Sequence, residues 1–286
     1  MNFKIKYKVL LADLAIIFSA VLVGILLSIN LELSALTIVL FSLWTGFWIH
    51  SLFLYVHEAA HYNLHQDKVK NDFIANIFSR PIFATSMDEY RKKHWEHHKN
   101  LGTTIDTENT YFQPLNLKTI LKLLTCYRAI MVFFNRNQNS KLEKNKLYLK
   151  SKLVFIIFHI SVFFTILKYH GLELTLVYFL SFFIFFPLFT SIRQILEHRS
   201  FNANNEINYN EKDHGQTNRI FKDNIFSRYF GAAGFNKHLL HHINPNVSYT
   251  CFNELEKELV TNEKYSSQIN NSKTSYTKAL ISLFKI

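Results

Sequence analysis

Cysteine is nearly absent: Cys126 and Cys251 are the only two in 286 residues, and they share no motif. That scarcity excludes a disulfide framework, a cysteine-built metal site and a Cys-rich iron–sulfur module. Acidic residues are also few, 21 against 32 Lys and Arg, which leaves a net charge of +11. A surplus of this size raises nucleic acid as a partner, but no recognition motif is interleaved with the basic residues, so nucleic acid is not expected. There is no internal repeat. The first apolar run is too long, and lacks the small-residue cleavage site, for a cleavable signal peptide. The length suits one domain, taken here as residues 1–286.

What the chain has in abundance is apolar surface and histidine. Apolar residues make up 49% of it, with 28 Phe. They gather in four runs, about residues 9–29, 33–56, 153–167 and 172–192. At ~1.5 Å per residue, about 20 residues in a helix cross a ~30 Å hydrocarbon core. The third run is short and relies on tilt, or on Lys152 and Lys168 reaching outward. Pro187 should kink the fourth run or end a hydrogen-bonded stretch there. The links Asn30–Glu32 and Tyr169–Gly171 are so short that each pair of runs reads as a helical hairpin. Residues 57–151 and 193–286 then lie on one side of the membrane together with the N-terminus. Nearly all Lys and Arg fall there, Lys168 being the exception, so the positive-inside rule makes that side cytoplasmic. The expected fold is all-α: four transmembrane helices under a helical cytoplasmic cap. Within the cap, Leu115–Phe134 reads as an interfacial amphipathic helix, and Asn137–Lys150 and Asn202–Asn210 as polar, exposed stretches.

Nine of the 14 histidines form a pattern. His57 and His61 close the second run; His94, His97 and His98 follow in the first polar segment; His198 ends the fourth run; His238, His241 and His242 come after it. Spacings of three and four put side chains on one helix face, so each cluster presents its imidazoles in one direction. The hairpin parity puts all four clusters at the same membrane face. Imidazole suits iron, zinc, copper and nickel, and nine exceed what one ion can take, whereas two ions would use them. Glu58, Glu96, Glu197 and Asp106 are placed to balance the charge from beyond the histidines. His50 and His65 share a face with His57 and His61 if the helix continues, where packing or an interfacial position is the simplest role; His159, His170 and His214 read as structural or exposed.

The order His-x3-His, His-x2-His-His, then a final His-x2-His-His around paired spans resembles the integral-membrane fatty acid desaturase and hydroxylase superfamily. Tyr90-Arg91 before His94, Asp106-Thr107-Glu108 after that cluster, Arg193 through Glu197-His198, and Phe235-Asn236-Lys237-His238 through His242-Ile243-Asn244-Pro245 with Tyr249 all strengthen the likeness, which covers about residues 50–255. The last cluster departs from it, with Lys237 and Leu240 where many relatives have tyrosine and glutamate. The resemblance implies two iron ions held by His57, His61, His94, His97, His98, His198, His238, His241 and His242, with O2 as co-substrate. It also implies that Gln194, one turn before His198, acts through water, beside Glu58, Glu197 and Asp106. The implied reaction is oxidation of a C–H bond in a lipid acyl chain, most simply desaturation, with hydroxylation or ketone formation on a hydrophobic substrate as alternatives. Two electrons per turnover would come from a separate ferredoxin-like or cytochrome b5-like protein, since the chain shows no fused electron-carrying module.

Two rivals use fewer of these residues. His57-Glu58-Ala59-Ala60-His61 matches the His-Glu-x-x-His signature of zinc proteases, with Glu58 as general base. That enzyme needs another ligand, and the third and fourth runs offer only Glu173, at the wrong end; seven patterned histidines would stay unexplained. A metal transporter would need polar ligands within the spans, where only Asp13, His50 and His159 qualify. Trp44, Phe47 and Trp48 can line a path for an acyl tail, or simply face lipid and neighbouring helices.

Overall fold

The computed structural model describes residues 3–107, 117, 121–122, 125, 146–198 and 204–282. Helix α1 (Tyr7–Asn30) and helix α2 (Ala35–Ala60) are joined by a four-residue link. Ser34 starts α2 through a reciprocal cap: the Thr37 N–H donates to Ser34 Oγ (3.3 Å), and the Ser34 N–H donates to Thr37 Oγ1 (2.7 Å). The two helices lie side by side, and Trp44 Nε1 donates across to the Ala20 carbonyl (2.7 Å).

Among the described residues, three helical stretches are long and apolar enough to cross a membrane: Tyr7–Asn30, Ala35–Ala60 and Leu149–His198. The third is not a single rod. Helix α5 (Lys146–Leu180) is broken at Gly171, whose φ of 81° and ψ of −171° belong to a region that residues with a Cβ essentially never enter. Rings before and after the break face one another: His159 is 5.0 Å from Phe182, and Phe155 is 6.4 Å from Phe183. The chain therefore doubles back at Gly171. The two tight turns meet at the same end of the molecule, where Ser28, Leu31, Glu32, His170 and Glu173 line one open cavity. The start of α1 lies at the opposite end, where the Lys6 N–H donates to Thr250 Oγ1 (3.1 Å) and Lys6 Nζ to Glu254 (2.5 Å).

Proline leaves its mark before Pro187. A π-helical turn, Ser181–Phe185, precedes helix α6 (Phe186–His198), and the Phe186 N–H reaches back five residues to Ser181. Widening the turn makes room for a ring that would otherwise clash with the preceding carbonyl. Ser42 of α2 holds this region, its Oγ within 3.3 Å of the Val177 carbonyl.

Helix α3 (Lys68–Phe83) starts at Asp67, whose Oδ1 accepts from the Val69 and Lys70 N–H groups. It runs back among the apolar helices rather than lying wholly beyond their ends. Phe78 is 5.9 Å from Phe18 of α1, and Phe83 is 5.1 Å from Phe53 and 5.3 Å from Phe186. Val69, Phe73 and Ile77 stay exposed at four-residue intervals along one face. Helix α4 (Met87–Lys99) follows. The expected interfacial helix at 115–134 and most of the polar stretch at 137–150 lie outside the described residues. The remaining elements are short: α7 (Ile225–Phe230), α8 (His238–Ile243), α9 (Phe252–Val260), α10 (Glu263–Ser272) and α11 (Tyr276–Ser282), with one parallel two-strand pair, β1 (Ile220–Phe221) and β2 (Lys273–Thr274). They pack over the end of α2, where Leu54, Ala59, Phe235, Leu239, Leu240 and Phe252 form a shared core. The Leu and Phe side chains among them contribute roughly 1.5–3 kcal/mol each when fully buried.

A candidate metal centre of nine histidines

His57 lies in the last turn of α2 and His61 is its C-cap. The terminal carbonyls of that helix need partners, and residues from two other helices supply them. Asn71 Nδ2 donates to the Ala59 carbonyl (2.9 Å), and Arg91 donates to those of Ala59 and Ala60 (3.0 Å each). Arg91 also pairs with Asp72 and lies over the Tyr62 ring. The helix end that carries the first histidine pair is thus bolted to α3 and α4.

Ser86 caps α4 by accepting from the Glu89 N–H (3.3 Å), and Tyr90 stacks on His94 at 5.4 Å. His94, His97 and His98 share the buried face of α4. Asp106 returns to the end of this helix: His97 Nδ1 donates to its Oδ1 (2.8 Å), and the Gly102 N–H donates to Oδ2 (2.9 Å). A carboxylate on Nδ1 fixes the tautomer and puts the Nε2 lone pair on the opposite side of the ring, the side a cation would use.

His198 is the last residue of α6. The final cluster sits on α8, which follows a constrained turn. Ala232 and Ala233 have φ of 49° and 61°, and Gly234 has φ of 142°. A Cβ on Gly234 would lie 2.5 Å from the Tyr249 ring, so glycine is required there twice over. The turn brings Phe235 to 4.4 Å from His57 and points His238, His241 and His242 inward.

All nine rings meet in one buried region, each residue at most 5% exposed. The ligand atoms of His57, His61, His94 and His241 lie within 4.8 Å of one another, as do those of His97, His198 and His242. His98 Nε2 adjoins the first group, 2.9 Å from His241 Nε2 and 3.1 Å from His94 Nε2. His238 Nε2 adjoins the second, 2.9 Å from His198 Nε2 and 3.1 Å from His242 Nε2. A neutral imidazole nitrogen carries either one hydrogen or one lone pair. Neither His98 Nε2 nor His238 Nε2 can therefore satisfy both its neighbours by hydrogen bonding, whereas cations between converging lone pairs remove the conflict. Burial holds His61, His98, His241 and His242 well below the ordinary imidazole pKa, and neighbouring imidazoles push the same way. Neutral rings are the form that ligates metal. The donor set fits two transition-metal ions.

The carboxylates divide by role. Glu58 Oε2 accepts from Ser248 Oγ (3.0 Å) and the Tyr249 N–H (3.1 Å), which ties the histidine end of α2 to the segment after the last cluster. Glu197 Oε2 lies 3.4 Å from Arg193 Nε and 3.7 Å from His238 Nδ1. Gln194 is half-buried one turn before His198. Glu96 is exposed, and its side chain accepts from Asn100 Nδ2. Glu173, the extra ligand a zinc protease would need, lines the cavity at the opposite end of the bundle. The two departures in the last cluster turn out to be packing residues. Lys237 Nζ is 2.9 Å from Glu256 and 3.3 Å from Asp223, and Leu240 is fully buried in the shared core.

The remaining histidines and polar span residues are used locally. His65 Nδ1 accepts from the Asp67 N–H, His159 pairs with Tyr178, and His170 is exposed. His50 Nδ1 meets the Phe47 carbonyl, with Phe189 6.0 Å away. Asp13 takes Arg228 Nη2 (2.6 Å) and the Tyr249 hydroxyl (3.0 Å). Of the three path candidates, Phe47 and Trp48 face the interior and Tyr229, while Trp44 is 46% exposed. His214 was not grouped with the others by spacing, yet its ring lies 6.3 Å from His242. Only the fold brings it there, across a loop whose sequence carries no periodic signal.

Buried imidazoles converge here from the ends of apolar helices long enough to cross a membrane, a donor set that could hold metal ions. The chain belongs to the fatty acid desaturase family, whose model matches residues 33–266. That membership places it among oxidoreductases of lipid acyl chains. A comparison with curated protein sequences gave no match.

Proposed function

We propose that this protein is an O2-dependent di-iron enzyme that oxidises C–H bonds of a lipid acyl chain, most simply as a desaturase. The observation that carries the reading is the convergence of nine buried imidazoles into two adjoining groups. In this reading His57, His61, His94, His98 and His241 hold one ion, and His97, His198, His238 and His242 hold the other. Bound iron supplies the activation of O2 that attack on an unactivated C–H bond requires. The protein's own part is to fix the rings and keep water out. Asp106 orients His97, Glu197 adjoins His238, and the apolar core over the end of α2 excludes solvent. Gln194 is placed to hold a water beside His198.

The same reading takes the helix doubled at Gly171 as two membrane crossings, so that the chain crosses four times. Both termini and the metal centre then lie on the cytoplasmic side, in agreement with the placement of Lys and Arg. Two electrons per turnover come from a separate ferredoxin-like or cytochrome b5-like donor. Expression in a host lacking the gene, followed by lipid mass spectrometry, tests the reaction. Loss of two hydrogens from an acyl chain is expected. Gain of one oxygen would replace desaturation by hydroxylation on the same centre, and an unchanged lipid profile in iron-loaded cells would overturn the acyl-chain substrate. Metal analysis tests the centre: about two irons per chain are expected, and one zinc with no iron would overturn it.

A further inference from the structure

Between α6 and α8 the chain passes through residues 214–219, a segment clamped by neighbours of two inward-facing histidines. Arg219 Nη1 donates to the carbonyl of Leu196 (2.7 Å), two residues before His198. The N–H of Leu239, next to His238, donates to the Arg219 carbonyl (3.2 Å), and the Asn218 N–H donates to that of His214 (2.9 Å). Asn218 is 0% exposed, yet among the described residues neither Oδ1 nor Nδ2 of its side chain has a hydrogen-bond partner. Nδ1 of His214 is likewise buried, with no partner among the described residues, on a ring 6.3 Å from His242.

A buried carboxamide unpaired at both ends is unfavourable and rare, and a leucine of similar size would fill the same space without that cost. Its retention points to a small polar occupant. We propose that Asn218, together with His214, holds a water molecule against the His198, His238 and His242 side of the centre, which makes Asn218 a positioning residue for that side. A carboxamide suits the task, since Oδ1 accepts from a water while Nδ2 donates to it, and His214 supplies a further partner. The inference rests on the metal-centre reading above and goes beyond it, because Asn218 belongs to none of the histidine clusters.

The test uses the full-length protein in detergent, stripped of metal, then melted as such and titrated anaerobically with Fe2+. Asn218→Leu removes the amide and displaces the water while keeping the buried volume, so the metal-free variant should melt close to the wild-type temperature. Its Fe2+ affinity should fall by about 10–100-fold, the usual loss when a group supporting a metal site is removed. Weaker Fe2+ binding with the metal-free fold retained is the signature. A large drop in the melting temperature of the metal-free variant, enough to account for the weaker Fe2+ binding, would make Asn218 a packing residue and overturn the proposal, as would unchanged Fe2+ binding. His214→Phe, which keeps a ring, should also weaken Fe2+ binding without lowering the metal-free melting temperature, and unchanged affinity there counts against the proposal independently. If wild-type protein takes up no Fe2+, the metal-centre reading itself fails, an outcome distinct from failure of either variant.

Discussion

At the residue scale, Glu58 and Asp106 separate support from ligation. Both are carboxylates beside histidines, but Glu58 accepts from Ser248 and Tyr249 while Asp106 accepts from His97 itself. Glu58→Gln keeps an oxygen that can accept both bonds, so lipid oxidation should remain measurable. A general base of a zinc protease would cost roughly 10²–10⁴-fold when lost. His241→Ala, which removes a ring 2.9 Å from His98, should abolish oxidation and lower bound iron. Full activity in His241→Ala with complete loss in Glu58→Gln would sink the di-iron assignment. Asp106→Ala should cost about 10–100-fold in iron affinity, read by Fe2+ titration. Eight of the nine converging histidines were legible in the sequence because helix periodicity converts spacings of three and four into a shared face, and His198, which stands alone, was legible only by its place at the end of the fourth apolar run. Arg91 was legible only as a motif neighbour. Its role at the end of α2 depends on α3 and α4 arriving together, which no local pattern encodes.

At the scale of elements, run length announced the apolar helices, and the short link at 169–171 announced the reversal now seen at Gly171. Gly171→Ala should cost on the order of 1–3 kcal/mol, because the side chain meets a backbone conformation it cannot adopt without strain. A lower melting temperature in detergent, with metal content per folded chain unchanged, is the expected reading. Helix α3 was not legible as a partner of the apolar helices. Lys68, Lys70, Asn71, Asp72 and Arg80 dilute its apolar positions, and only the rings of Phe18, Phe53 and Phe186 reveal what Phe78 and Phe83 pack against.

For the whole molecule, topology and acid response are the measurable properties. In a background without Cys126 and Cys251, a cysteine at Asn204 should label from the cytoplasmic side only, and one at Tyr169 from the opposite side only. Labelling of both from one side would refute the four-crossing arrangement. The acid response follows from the buried imidazoles. His61, His98, His241 and His242 resist protonation in the folded chain and accept it, near an ordinary pKa of about 6.5, once unfolded. The unfolded state therefore binds more protons as pH falls, and each ring can remove up to about 1.4 kcal/mol of stability per pH unit below that value. Metal-free protein should melt progressively lower from pH 7.5 to pH 5.5. A flat profile would show that these rings are solvated, not buried.

The π-helical turn at Ser181–Phe185 sets the phase of everything that follows it on the same helix. Each residue advances an α-helix by about 100°, and a π turn is one residue longer than the α turn it replaces. Such a turn takes up one extra residue without putting the helix beyond it out of phase. Deleting one residue between Ser181 and Phe185 would close the π turn to an α turn, keeping His198 directed at His238 but bringing the Pro187 ring against the preceding carbonyl. Deleting one between Leu188 and Ile195, where no wide turn absorbs the loss, would swing His198 about 100° away from His238, so this last stretch should tolerate exchange of one apolar side chain for another far better than the loss of a residue.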